Sequence, residues 1–191
     1  MPSGSSAISY TLTIGGAPAP AALIAAVQSI QVEDHAELAD LLRIKLTVGV
    51  RSDGRGWTVL DDDIFSRLAS VSVAIRVANT RETLIHAYVV ETSVNFSAQP
   101  GQSILTVVAM DPTVLMNLEE KIKPWPDMAD SSIATAIFSD YGFTPQVRDS
   151  QPARADNEHR VIQRATDIAF LSQLAERNGY ECYVETNAAG Q

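Results

Sequence analysis

Thr166-Asp167-Ile168-Ala169-Phe170-Leu171-Ser172-Gln173-Leu174-Ala175-Glu176-Arg177-Asn178-Gly179-Tyr180-Glu181-Cys182-Tyr183-Val184 reads as a helix followed by a strand, with each boundary marked in the sequence. Thr166 can cap the helix, Asp167 suits its first turn, and Ile168, Leu171, Leu174 and Ala175 recur at helical spacing as one apolar stripe. Gly179 predicts the stop, because the position just past a helix end favours a residue that tolerates positive φ. Beyond it Tyr180, Cys182 and Val184 alternate with Glu181, Tyr183 and Glu185, the pattern of a strand.

A related unit lies upstream. Asp130-Ser131-Ser132 can cap a helix whose Ile133, Ala136, Ile137 and Tyr141 share a face, with Gly142 as its stop and Phe143 directly after. Helix, Gly, aromatic and extended segment thus occur twice, at Ser132 to Val147 and at Asp167 to Val184, with Arg148 to Glu158 predicted as a loop between them. Before Asp111-Pro112 the pattern is different and period-two alternation dominates. Ile8 to Ile14, Leu42 to Val48, Val71 to Val77, Val90 to Ser97 and Ile104 to Met110 each predict a half-buried strand, with a weaker one around Ile30 and Val32. Ala98-Gln99-Pro100-Gly101 predicts a hairpin turn and Ser52-Asp53-Gly54-Arg55-Gly56 another turn. Ile14 to Val27 is charge-free, too short to span a membrane and broken by Gly15, Gly16, Pro18 and Pro20, so it predicts a loop. Asp61-Asp62-Asp63-Ile64-Phe65-Ser66-Arg67-Leu68 predicts one or two helical turns, and Pro124-Trp125-Pro126 a break in regular structure. Several strands with one apolar face each must pack together, and closure into an antiparallel β-barrel removes exposed edges. The expected fold is therefore mainly β with an α+β second part: a barrel domain over 1–112 and a small mixed αβ domain over 113–191.

Composition narrows the function. The chain has 191 residues, 46% hydrophobic and 19% charged, which is ordinary material for folded domains. A net charge of −9 disfavours nucleic acid and anionic membrane as partners. Cys182 is the single cysteine, so no intrachain disulfide can form, and its place on an apolar strand face predicts an inert thiol. Met1-Pro2-Ser3-Gly4-Ser5-Ser6 lacks the basic segment of a secretory signal, which leaves the glycosylation pattern Asn95-Phe96-Ser97 idle.

Chemistry needs groups placed together, and no such set is predicted. His35, His86 and His159 have no metal-ligand spacing, and Asp61, Asp62 and Asp63 lack the alternation and closing Glu of a calcium loop. Glu119 and Glu120 beside Lys121 and Lys123 read as a solvated face, Gly54-x-Gly56 as a turn, and Trp57 and Trp125 as packing anchors. No catalytic, metal-binding or cofactor-binding residues are therefore expected.

The order T-D-x-x-F-L-x-x-L-A-x-x-x-G-Y-E, preceded by Gln163, resembles a segment of the phage late-control gene D family of tail-hub proteins. The hub portions of type VI secretion spike proteins and of extracellular contractile injection systems are similar. Its signature here is Thr166, Asp167, Phe170, Leu171, Leu174, Ala175, Gly179 and Tyr180. Further matches follow in order: Ala36-Glu37-Leu38-Ala39-Asp40 before Leu42, Tyr88-Val89-Val90-Glu91 with Ala87 where the family often has Gly, Ile104 to Asp111 followed by Leu115, and Asp130 to Gly142. The resemblance implies a tail-tube-like barrel followed by a mixed αβ domain, in a homotrimer that joins a hexameric inner tube to a central spike. It also implies other baseplate partners, no cofactor, assembly in the cytoplasm into a phage tail or tail-like particle, and a chain that holds the first barrel and only the beginning of the second domain. A tail-tube or tube-initiator protein and a tail-associated peptidoglycan hydrolase are the rival readings; the helical unit at Thr166 to Val184 speaks against the first and the lack of a paired acid and base against the second.

Overall fold

The computed structural model describes residues 8–35, 39–51, 54–60, 63–78, 80–150 and 161–185. They form two compact units, the first running to Pro112 and the second spanning Thr113–Val184. The expectations for Ser52 and Asp53, for Asp61 and Asp62, for Ala36 to Leu38 less Ala39 and Asp40, for His159 and for most of the loop at Arg148 to Glu158 lie outside the described residues, as do those for both chain ends.

The first unit is one antiparallel sheet. Its strands are β1 (Ile8–Ile14), β2 (Ala17–Pro18), β3 (Val27–Glu33), β4 (Leu41–Thr47), β5 (Ser70–Val77), β6 (Thr80–Asn95) and β7 (Ile104–Met110), with helix α1 (Ala21–Ala26) between β2 and β3. Hydrogen-bonded order is β2-β1-β5-β6-β7-β4-β3. Alternation decides which side chains go in: Leu42, Ile44 and Leu46 of β4, Ile85, Ala87 and Val89 of β6, and Leu105, Val107 and Ala109 of β7 are all buried in one core. The expected barrel is not closed by a ladder among the described residues, since β2 and β3 end the order without pairing. A two-residue β2 ending at Pro18 offers little backbone to pair, and α1 fills the connection and buries Leu23 instead.

Other expectations need correction. Ile14 to Val27 contains α1, which follows Pro20 and holds no Gly or Pro. Residues Asp63 to Leu68 form no helix; Asp63 and Leu68 both have positive φ, which breaks helical repetition. β6 begins ten residues before the expected Val90, under polar residues such as Arg81 and Glu82 that disguise it. A bulge between Val89 and Glu91 shifts the inward face, so that Thr92 and Val94 stand opposite buried Val107 and Leu105 while remaining exposed at the rim. The β6–β7 turn is as read, with Gly101 at φ +76 and Gln102 N–H donating to the Gln99 carbonyl at 3.2 Å.

The second unit begins with a 3-10 turn over Pro112–Asn117, followed by β8 (Glu120–Trp125), α2 (Asp130–Asp140), β9 (Val161–Thr166) and α3 (Asp167–Arg177). β8 and β9 form a two-stranded antiparallel sheet. The charged run at Glu120 and Lys121 is therefore strand, and Pro124 sits inside it opposite Ile162, tolerated because a two-stranded sheet is all edge. β9 itself lies unread between the loop and α3; its inward Val161 and Gln163 alternate with outward Ile162 and Arg164, so a polar residue occupies a core position and masks the period. Met116, Trp125, Ile133, Ile137, Phe170, Leu171 and Leu174 are the main buried residues of the core. Both helices end in the same motif. Tyr180 N–H reaches the Ala175 carbonyl at 2.9 Å across Gly179 at φ +70, and Phe143 N–H reaches the Phe138 carbonyl at 3.2 Å across Gly142 at φ +77. The strands expected after each glycine are absent: Cys182 and Val184 do turn inward relative to Tyr183, but residues 180–185 find no ladder partner among the described residues.

Candidate functional site

The signature residues converge on α3. Thr166 ends β9 and caps α3 in one step, its hydroxyl accepting from Ala169 N–H at 3.4 Å and donating to Asn117 Oδ1 at 2.9 Å. Phe170, Leu171 and Leu174 are buried, Ile168 and Ala175 are half-buried, and Tyr180 is exposed with its hydroxyl donating to the Asp149 carbonyl at 3.0 Å. Phe170 thus replaces Ile168 in the centre of the stripe.

Asp167 does more than suit a helix terminus. It is only 2% exposed, and three donors from three other places in the fold meet its carboxylate. Tyr141 at the end of α2 donates its hydroxyl to Oδ2 at 2.6 Å, Lys121 of β8 donates Nζ to the same oxygen, and Gln163 of β9 donates Nε2 to Oδ1 at 2.6 Å. Gln163 is 0% exposed and its Oε1 accepts from Trp125 Nε1 at 3.3 Å, so its amide is satisfied at both ends. Burial alone would raise the Asp167 pKa, but the hydrogen bonds from Lys121, Tyr141 and Gln163 outweigh it and hold the carboxyl below its ordinary value. The same contacts act in reverse on the partners. The hydrogen bond to Asp167 raises the Lys121 pKa, and burial followed by the Asp167 bond raises that of Tyr141. A carboxylate so surrounded is a poor base, because accepting a proton would break bonds it already makes. The cluster ties β8, β9, α2 and α3 together; it is suited to holding shape.

Sequence reading missed Lys121, Gln163 and Tyr141 as partners of Asp167. The available signal was Gln163, a polar residue at an inward position of an otherwise apolar alternation, four residues before an acid. A second polar tie joins α2 to α3. Asp130 is the first residue of α2 rather than its cap, which is Ala129, and its carboxylate accepts from Arg177 Nε at 2.6 Å, from the Arg177 terminal nitrogen and from Asn178 Nδ2 at 2.6 Å.

In the first unit Asp111, also buried, accepts from Asp40 N–H at 2.6 Å and returns its own N–H to the Asp40 carbonyl at 3.0 Å. Asp40 Oδ1 accepts from His35 N–H at 2.8 Å, and burial raises the Asp40 pKa, helped by the charges of Asp34 and Asp111. His86 lies on β6 with its ring edge-on to Tyr88, 5.4 Å between centroids, and burial lowers its pKa. The Cys182 thiol is half-buried and its pKa is raised by burial, the opposite of an activated nucleophile. Trp125 anchors the second core, whereas Trp57 is exposed and packs on Phe96 at 5.1 Å. Among the described residues no group of three His, Cys, Asp or Glu side chains is arranged to hold a metal ion, and no helix is long and apolar enough to cross a membrane.

Comparison with solved structures relates this fold to tail proteins. A 43 kDa tail protein of prophage MuSo2 from Shewanella oneidensis superimposes with a TM-score of 0.63 at 14% identity, covering 91% of this chain and 49% of that one. A tail protein from Neisseria meningitidis gives 0.60 at 12% identity over 93% of this chain and 48% of the other. The E. coli c3393 protein, described as a component of the type VI secretion system with structural similarity to the bacteriophage T4 tail proteins gp27 and gp5, gives 0.50 at 14% identity over 85% and 42%. The chain thus has the fold of these proteins and spans about half the length of the first two. Comparison with curated protein sequences gives no match. A sequence-family model described as the Alg8 N-terminal domain matches residues 5–189, through both units and the whole Thr166 to Val184 signature. With nearly its entire length accounted for by that one model, the chain belongs to the Alg8 N-terminal domain family.

Proposed function

We propose that this chain is a structural hub of a contractile injection machine, a phage tail or related injector, which joins an inner tube to a central spike as a symmetry adaptor. The observation that carries this reading is that the likeness in fold to a prophage tail protein covers 91% of the chain, too much to come from the sheet unit alone. In this reading the two units are domains, 1–112 and 113–191, the first a tube-like antiparallel sheet domain and the second a mixed αβ hub domain. The native protein is a homotrimer, assembled in the cytoplasm into the particle, with tube, spike and other baseplate subunits as partners. The second unit favours a hub over a tube subunit or tube initiator, which would need the sheet unit alone. The buried polar cluster at Asp167 favours a holding role over a catalytic one, since its carboxylate is engaged by three donors.

Light scattering on the full-length native protein tests this: a trimer at micromolar concentration is expected, and a stable monomer contradicts it. Zymography on peptidoglycan tests the rival enzymatic reading. No clearing is expected; a cleared zone that persists through purification and is lost on one point substitution would replace the hub with a hydrolase.

A further inference from the structure

Asn178-Gly179 is the only Asn–Gly pair in the sequence, and it lies where α3 ends. An asparagine followed by glycine is the most easily lost of side-chain amides, because a residue without Cβ leaves its backbone nitrogen open to attack the preceding side chain. In the folded second unit both reacting groups are held. Asn178 Nδ2 donates to Asp130 Oδ2 at 2.6 Å and to the Leu174 carbonyl at 2.8 Å, and since both neighbours are acceptors the amide has one orientation there. Gly179 N–H donates to the Glu176 carbonyl at 3.0 Å. With ψ of Asn178 at 1°, the Gly179 nitrogen eclipses the Asn178 backbone nitrogen and is turned away from Cβ, whereas a succinimide ring needs it beside Cγ. Reaction therefore waits for the end of α3 to leave Asp130. Gly179 and Tyr180 are exposed, and a solvated helix end is the part of a unit that opens first.

We infer that Asn178 is a modification site: a deamidation switch kept shut by the tie between α2 and α3, a tie that cannot re-form once the site has reacted. With the helix end open, solvent base takes the proton of the Gly179 nitrogen, that nitrogen forms a bond to Asn178 Cγ, and the Cγ–Nδ2 bond breaks to release ammonia. Water then opens the succinimide at either carbonyl, leaving an aspartate or an iso-aspartyl linkage at 178. Water enters, ammonia leaves, and nothing is oxidised or reduced. The consequence follows from Asp130. A carboxylate replaces the donor that faced two acceptors, so Asp130 and the Leu174 carbonyl each lose a hydrogen bond and Asp130 gains a like charge beside it. An iso-aspartyl linkage also lengthens the backbone by a methylene, which moves Gly179 off the position from which Tyr180 N–H reaches the Ala175 carbonyl. The Arg177 pair with Asp130 remains, open to solvent and worth little by itself. This chemistry needs no partner and holds whether or not the chain is a hub.

Peptide mapping of the full chain, aged in mildly alkaline buffer, tests both halves. Deamidation at Asn178, with its iso-aspartyl product, should run at least about tenfold slower in native buffer than in urea, because only the open fraction reacts. Asn95 and Asn117, followed by Phe96 and Leu118, give the background rate within the same sample. Equal rates at Asn178 in buffer and in urea, or no iso-aspartate at 178 in urea, overturn the switch. Asp130→Ala, checked for folding by circular dichroism, should speed the native reaction toward the urea rate. Arg177→Ala, which leaves the Asn178 bonds in place, should not. A wild-type rate in folded Asp130→Ala, or an equal acceleration in Arg177→Ala, means that the Asn178 bonds are not the gate. Asn178→Asp reads the product side without ageing and independently of Asp130→Ala. Hydrogen exchange at Tyr180 N–H should quicken relative to wild type; unchanged exchange there shows that the tie re-forms and refutes the switch.

Discussion

The two units solve the same problem with different materials. The first buries an almost wholly apolar core whose positions follow from strand alternation, with Leu42, Ile44, Leu46, Ile85, Ala87, Leu105 and Val107 facing inward from adjacent strands. The second has a smaller apolar core and a two-stranded sheet that would be marginal alone, and it adds the buried Asp167 cluster. A polar network rewards one arrangement of β8, β9, α2 and α3 and penalises others, because each donor displaced from Asp167 is left unsatisfied. The first unit should accordingly tolerate conservative apolar exchange, and the second should be sensitive to single polar changes.

The largest expected effect is from Leu171→Asp, which puts an unpaired charge into the second core and should cost several kcal/mol, enough to unfold that unit. Hydrogen exchange should then show loss of protection in β9 and α3; retained protection would mean the stripe is not a core. Asp167→Ala comes next. It strands Gln163, Tyr141 and Lys121 together and should cost about 2–4 kcal/mol, measured by denaturant titration, whereas Ile44→Val in the first core should cost about 1 kcal/mol. Equal costs would remove the contrast between the units. Acid should reveal the same asymmetry. Because the folded pKa of Asp167 is depressed, its contribution is fully present above the ordinary value of 3.8 and is lost as pH falls through the lowered one. Exchange protection in β9 and α3 should fade over that range in the wild type and show a smaller pH response in Asp167→Asn. Gly179→Val should cost about 1–2 kcal/mol through backbone strain alone, since nothing stands within 4 Å of an added Cβ there. The smallest effect is from Arg177→Ala at about 0.5 kcal/mol, because its pair with Asp130 is well formed but open to solvent.

The sheet unit was legible where one face is buried and the other wet, as in β1, β4, β5 and β7. It was obscured where that contrast fails: the first half of β6 carries Arg81 and Glu82, and α1 is too short to show a period. In the second unit the helices were legible from stripe and glycine, since a residue at positive φ past a helix end has few sequence solutions. β8 and β9 were not, because Pro124 and Gln163 break the apolar alternation for reasons that appear only in three dimensions: an edge position and a hydrogen bond to Asp167. The Asp167 cluster shares that cause, as its members lie on four elements and only their meeting gives them meaning.

Electron cryomicroscopy of the intact particle containing the native protein tests the hub reading most directly. Three copies of this fold, related by a threefold axis, are expected between the end of the inner tube and the spike. Density for the chain elsewhere in the particle, or in six copies continuous with the tube, would contradict it.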